Sequence, residues 1–263
     1  MDLELKGKRA LVVGASRGLG FATAKALAAE GVQVAISSRD AEKLSAAAKQ
    51  IEDAHGIPVV AIPADISDVD APADVIAKTV AALGGLDLLV TNAGGPPPGA
   101  FESFSEADWA KGVDLSFMSH VRLIREALPH LRQSDAASVL TITSYTVKQP
   151  LPNLILSNSI RAATVALTKS LSSELGGDGI RFNSILPGWT MTERVTQLME
   201  ARAKTNGTSI EEETAKQTAE SALERVGQPQ EFAKPAVFLL SPAASYITGV
   251  SLLVDGGITK GMM

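Results

Sequence analysis

Gly14-Ala15-Ser16-Arg17-Gly18-Leu19-Gly20 separates an apolar run, Arg9–Val13, from an Ala-rich segment, Gly18–Glu30. The run reads as a strand and the segment as a helix, so the glycines fall where one gives way to the other. A tight turn there needs a residue tolerant of unusual backbone angles. A pyrophosphate needs unhindered approach to backbone N–H groups at a helix N-terminus. Close packing of helix on strand needs a third small residue. Gly14, Gly18 and Gly20 meet these three demands, with Ser16, Arg17 and Leu19 beside the phosphate path. The stretch therefore predicts the first βα turn of a dinucleotide-binding unit.

The same rhythm continues along the chain. Strands are expected at Val32–Ser37, Pro58–Ile62, Leu86–Val90, Ser138–Thr143, Ile180–Leu186 and Ser251–Val254. Helices are expected at Asp40–His55, Ala71–Leu83, Ser105–Lys111, Asp114–Arg132, Leu154–Leu175 and Pro229–Leu240. Strands that alternate with helices of this length imply βαβ units and a parallel sheet. Strands buried on both faces explain apolar runs such as Leu86–Val90. Right-handed crossovers then give an α/β fold: one Rossmann domain over residues 1–263, doubly wound, with helices on both faces. Trp189–Gln228 breaks the rhythm. It is polar, charged and helix-prone, and reads either as a solvated helical excursion or as a lid over a substrate.

Composition narrows the function classes. Cysteine is absent, which excludes disulfides and thiolate metal sites and fits a reducing compartment. His55, His120 and His130 are too far apart for a helical ligand pair, so no metal is expected. Acidic residues outnumber basic ones, 29 to 24, without a basic run, which argues against nucleic acid and membrane surfaces as partners. No apolar stretch approaches the ~20 residues of a membrane helix. The N-terminus lacks a signal-peptide pattern, and the expected location is the cytoplasm.

The second strand ends in Ser37-Ser38-Arg39, where many such units carry an acidic residue for the adenosine ribose. Ser38 there, with the planar fork of Arg39 behind it and Arg17 nearby, favours a 2′-phosphate, hence NADP(H) over NAD(H). Asp65 and Ile66 follow the third strand, and Asp65 is placed to accept from the adenine amino group. Asn92-Ala93-Gly94 follows the fourth strand and would line the cleft.

These pieces, together with Ser144, Ala162-Ala163, Pro187-Gly188 and the tail Ile247–Gly257, resemble the short-chain dehydrogenase/reductase family over essentially the whole chain. The overall pattern is most similar to the 3-oxoacyl-[acyl-carrier-protein] reductases. The resemblance implies a seven-stranded sheet in the order 3-2-1-4-5-6-7, cofactor contacts that extend through Pro187, Gly188, Thr190 and Thr192, and a homotetramer or dimer. It also implies a small-molecule carbonyl or alcohol as substrate.

The family's chemistry uses an Asn-Ser-Tyr-Lys set. Carried over one position at a time, Ser144 matches the serine that holds the carbonyl. The tyrosine place holds Ser157, the lysine place holds Arg161, and the asparagine place is assigned to Asp114. A phenol of pKa about 10 can be tuned toward neutrality by an adjacent ammonium, whereas an aliphatic hydroxyl cannot. Arg161 stays charged and can hold a ribose or a carbonyl oxygen, but it relays no proton. The loss of a positioned acid costs on the order of 10²–10⁴ in rate. Tyr145 and Lys148, just after Ser144, are the substitutes at hand. Two readings follow: an NADPH-dependent carbonyl reductase with an altered proton donor, with 3-oxoacyl thioesters among its candidate substrates, or a non-catalytic or regulatory dinucleotide-binding homologue.

Overall fold

The computed structural model describes residues 2–261, apart from the side chains of 194 and 201. Its seven strands are β1 (Arg9–Val13), β2 (Gln33–Ser38), β3 (Val59–Pro63), β4 (Leu88–Thr91), β5 (Ser138–Ile142), β6 (Arg181–Pro187) and β7 (Ser251–Val254). They form one sheet in the order β3-β2-β1-β4-β5-β6-β7, and every pairing is parallel. The expected architecture is present, and strand ends move by one or two residues.

Alternation along each strand feeds two cores. Val12, Val34, Leu140 and Ile185 pack against α1 (Gly18–Ala29), α2 (Ala41–His55) and α9 (Pro229–Leu240). Leu11, Leu89, Val139 and Phe182 pack on the other face against α3 (Ala71–Leu83) and α5 (Ser119–Leu131), with Leu171 of α6 (Ile155–Glu174) alongside. Burial on both faces is what a parallel sheet requires of its strands.

The edge at the strand N-termini is fixed by one buried carboxylate. Asp87, 3% exposed, accepts from Arg9 N (2.8 Å), Nε (2.8 Å) and Nη2 (2.7 Å), and from Ser134 Oγ (2.6 Å). The opposite edge carries the C-termini of all seven strands, which is where open α/β sheets bind ligands.

One departure from sequence expectation bears on that edge. The helices read at 105–111 and 114–132 are one continuous path. α4 (Glu106–Val113) passes through a π turn (Asp114–Met118) into α5. The Trp189–Gln228 excursion contains α7 (Glu193–Asn206) and α8 (Ile210–Thr218). Asn206-Gly207 ends α7, with Gly207 at φ 66°, and a capping box from Ser209 and Glu212 starts α8. Glu213 joins the two helices. It accepts from Asn206, Thr208 and Lys216, and the Lys216 bond first among them pulls its carboxyl down to about 2.

Candidate functional site

The glycine turn is packed backbone against backbone. A Cβ on Gly20 would lie 2.3 Å from the carbonyl oxygen of Gly14, and one on Gly14 would lie 2.6 Å from Asn92 Nδ2. Asn92 ties the loop after β4 to the turn by donating to Gly14 O at 3.2 Å. Helix α1 begins here without a side-chain cap and without an acidic residue in its first turn. By contrast, α2, α4, α7 and α8 are capped by Asp40, Ser105, Thr192 and Ser209. Free N–H groups at a helix start suit an anion.

Ser38 Oγ, at the end of β2, is buried without a hydrogen-bond partner. Beside it, Arg39 faces Asp65 at 3.7 Å with 71% of its side chain exposed, so it is free to turn. Asp65 accepts from Ser67 N and Oγ, and these bonds with Arg39 hold its carboxyl below the usual range despite burial, which pushes the other way. Ile66 and Ala93 are buried under this edge. Arg17 is engaged elsewhere. Its Nη1 pairs with Glu193 at the start of α7, so the glycine turn is linked directly to the excursion. Thr192, the cap of α7, would touch a Cβ placed on Gly18 at 3.5 Å.

The loop after β6 is equally constrained. Gly188 donates to Val254 O, and a Cβ there would lie 2.6 Å from Asp255 Cα. Thr190 is buried, while Met191 N donates to Gly227 O and Gly227 N donates to Trp189 O, which ties the two ends of the excursion together. Ser221 Oγ and Leu223 N both donate to Gly256 O, which pins its far end to the loop after β7.

The catalytic positions are rearranged. Ser144 caps a single 3-10 turn (Tyr145–Val147), and its Oγ accepts from Thr146 N at 3.2 Å. Arg161 reaches from α6 to the end of β5, where Nη1 donates to Thr143 O at 3.0 Å and more weakly to Ile142 O. A Cβ on Gly95 would lie 3.5 Å from its Nη2. The guanidinium thus sits between the ends of β4 and β5, beside Ser144. Burial pushes its pKa down to about 10, which leaves it charged at neutral pH. The Ser157 hydroxyl, one helical turn earlier in α6, has no hydrogen-bond partner among the described residues. Its neighbour Asn158 donates to Leu151 O and keeps a buried Oδ1 without a partner.

Asp114 does not enter this group. Its carboxylate, half exposed, pairs with Arg122 at 2.9 Å on the solvent side. The residue that faces inward is Ser116. It is 1% exposed, donates to Gly94 O at 3.2 Å and receives Thr164 Oγ1 on its carbonyl at 2.8 Å. The π turn makes the difference, because its extra residue rotates 116 rather than 114 toward the site. His120, also missed, is 1% exposed with an unpartnered Nδ1. Burial first, then the charge of Arg161, pushes its pKa down to about 3.

Tyr145 is 4% exposed, and its hydroxyl, without a sound hydrogen bond, lies beside the Trp189 indole. Burial raises its pKa to about 12, which makes it a weaker acid than free tyrosine. Arg202 of α7 stacks over the same indole at 5.4 Å. Lys148 is exposed.

A family model described as enoyl-(acyl carrier protein) reductase matches residues 14–259. The oxidoreductase YvrD of Bacillus subtilis (strain 168) is 33% identical, with 100% of each chain covered. The 3-oxoacyl-[acyl-carrier-protein] reductase FabG of Staphylococcus aureus (strain Mu50) is 31% identical over 95% of this chain and 98% of its own. L-sorbose reductase from Gluconobacter frateurii, solved with NADPH and L-sorbose, superposes with a TM-score of 0.96 at 29% identity, again over 100% of both chains. Likeness in sequence and in three-dimensional form runs the length of the molecule, and the chain belongs to the short-chain dehydrogenase/reductase family of oxidoreductases.

Proposed function

We propose that the chain reduces the carbonyl of a small molecule with NADPH, using a proton donor other than the family's phenol. The observation that carries this reading is the placement of Ser144 and the Arg161 guanidinium together at the end of β5, against the loop after β4. Bound NADPH supplies the hydride. Gly14 and Gly18 leave room for the pyrophosphate at the uncapped start of α1, and Ser38 and Arg39 take the 2′-phosphate. Asp65 and Ile66 flank the adenine. Asn92, Ala93, Gly94, Pro187, Gly188, Thr190 and Thr192 line the nicotinamide half.

At the reacting carbonyl, the Ser144 hydroxyl donates a hydrogen bond to the oxygen and holds it in place. One of its two acceptor lone pairs is used by Thr146 N. Arg161 stabilises the negative charge that develops there, the same electrostatic task an oxyanion hole performs. The burial of Tyr145 leaves the proton to exposed Lys148, which closes the 3-10 turn after β5. Lys148→Ala is expected to lower kcat about 100-fold, the size of a lost general acid. Tyr145→Phe should change it less than about threefold. Equal rates for wild type and Lys148→Ala would hand the proton to water.

Arg39→Ala is expected to raise the Kd for NADPH at least about tenfold and to leave NADH unchanged, since a charge-assisted fork on phosphate contributes at least about 1.4 kcal/mol. Fluorescence titration of both cofactors measures it, and equal losses for the two would remove the 2′-phosphate from Arg39. We further propose that residues 189–228 act as the lid, supported by the Arg17–Glu193 link across the cleft, and that α5 and α6 carry a homotetramer contact. Their outer faces form a shallow apolar groove with Val121, Ile124, Leu128 and Leu167.

The test is cofactor fluorescence followed by a panel of 3-oxoacyl thioesters, ketones and quinones. Substrate-dependent loss of NADPH supports the reductase. Binding without turnover supports the second reading, a non-catalytic dinucleotide-binding role, which the Ser157 and Arg161 replacements favour.

A further inference from the structure

We propose that Arg161 anchors a carboxylate of the substrate, and that the carbonyl compound reduced is a 2-oxo acid. This rests on the reductase reading above and names its substrate class.

The argument starts from charge accounting. Arg9, Arg17, Arg39, Arg122, Arg132 and Arg225 each have a carboxylate within 4 Å. Arg181 fills both terminal nitrogens with the carbonyls of Leu239, Ile247, Leu240 and Ser241. Arg202 lies over the Trp189 ring, and Arg125 is exposed to solvent. Arg161 has none of these arrangements. Among the described residues no carboxylate pairs with it, and only Nη1 donates, to the carbonyls of Thr143 and Ile142. Among the described residues its Nη2 and Nε have no acceptor, and Nη2 lies against the loop after β4, 3.5 Å from a Cβ built on Gly95. The groups around it supply no counter-charge. His120 is held neutral, and Asp114 is turned outward to Arg122. A partly desolvated guanidinium without an anion is costly, and a guanidinium's planar fork matches a carboxylate. The missing anion must therefore arrive with the ligand.

Position selects the class. Arg161 is bound to the carbonyl of Thr143, and the hydroxyl that would hold the reacting ketone belongs to the next residue, Ser144. Two recognition groups on adjacent residues suit two adjacent carbons, a ketone bonded directly to a carboxylate. The same cation then steadies the carboxylate and the neighbouring oxygen as it gains charge, which offsets part of the lost acid catalysis. In the reaction the carbonyl carbon takes a hydride from NADPH. Its π pair moves to oxygen, which takes a proton from solvent by way of Lys148. The products are a 2-hydroxy acid and NADP⁺.

The experiment uses the full chain, first titrated with NADPH, then assayed with 2-oxobutanoate and its methyl ester. Binding of each compound is also measured by calorimetry with and without cofactor. We expect the acid to exceed the ester at least about tenfold in kcat/KM and in affinity, the scale of one hydrogen-bonded charge pair. Arg161→Gln should erase that preference and leave the NADPH Kd within about twofold, while Arg161→Lys should keep part of it. Equal handling of acid and ester by the wild type overturns the proposal. So does an Arg161→Gln chain that loses NADPH binding but keeps the preference, because Arg161 would then serve the cofactor. If Arg161→Gln does not fold, the wild-type comparison and Arg161→Lys decide. Failure to bind NADPH with retained, ester-sensitive binding of the acid would refute the reductase reading and keep the anion site.

Discussion

Asp87→Ala is expected to destabilise the chain by about 3–5 kcal/mol, the cost of removing one partner from a buried ion pair. The carboxylate joins β1, the start of β4 and the segment before β5 through four hydrogen bonds. Without it, the Arg9 guanidinium is left with the Gly84 carbonyl, and Ser134 Oγ loses its acceptor. Urea denaturation at pH 7 measures the loss, and a shift below about 1 kcal/mol would show that the cluster relaxes around the gap. Burial alone would raise the Asp87 pKa, but the bonds from Arg9 and Ser134 outweigh it and hold it below the ordinary value. A carboxyl depressed in the folded state stabilises above its unfolded pKa, about 3.9, and that contribution fades as pH falls through the folded value. The gap between wild type and variant should thus be constant from pH 7 to about 5 and narrow below about 4. A gap that widens in acid would contradict the assignment.

Gly20→Ala is expected to weaken NADPH binding at least about 100-fold, or about 2.7 kcal/mol. The added Cβ would meet backbone atoms of Gly14, the oxygen at 2.3 Å and the carbon at 2.9 Å, and neither can swing aside as a side chain would. The turn must open, and with it the path of the pyrophosphate. Gly176→Ala is the control, since a Cβ there meets nothing within 4 Å. Wild-type affinity in Gly20→Ala would show that the turn is more pliable than its packing indicates.

Much of the fold was legible because its signals are local. The glycine turn declares itself within seven residues, and the apolar strands and Ala-rich helices alternate without ambiguity. The excursion at 189–228 was recognisable as helical, and its internal stops were readable too. Asn206-Gly207 spells a helix end, and Ser209-x-x-Glu212 spells a capping box. The candidate site was legible only in part. Arg161 and Ser144 occupy the places that counting from strand five gives them. The partners of Arg17 and Asp87 lie 176 and 78 residues away in sequence, and no local pattern announces such pairs. His120 looks like one more polar residue on a helix until its neighbours are known.

The assignment of the asparagine place to Asp114 fails: its carboxylate pairs with Arg122, Ser116 faces the site, and residues 114–118 form a π turn. The Ser119 N–H closes on Asp114 O, one residue further than in an α-helix, and the surplus residue shifts the faces of α4 and α5 out of phase. Ser116 reaches Gly94 and Thr164 only in that offset frame. Deleting any one residue between 114 and 118 would give a more regular helix, and local helix propensity would reward it. The same deletion would swing everything on α4, including Trp109, about 100° around the axis relative to α5. In this segment, regularity and a working cleft are alternatives, and the chain keeps the irregular one.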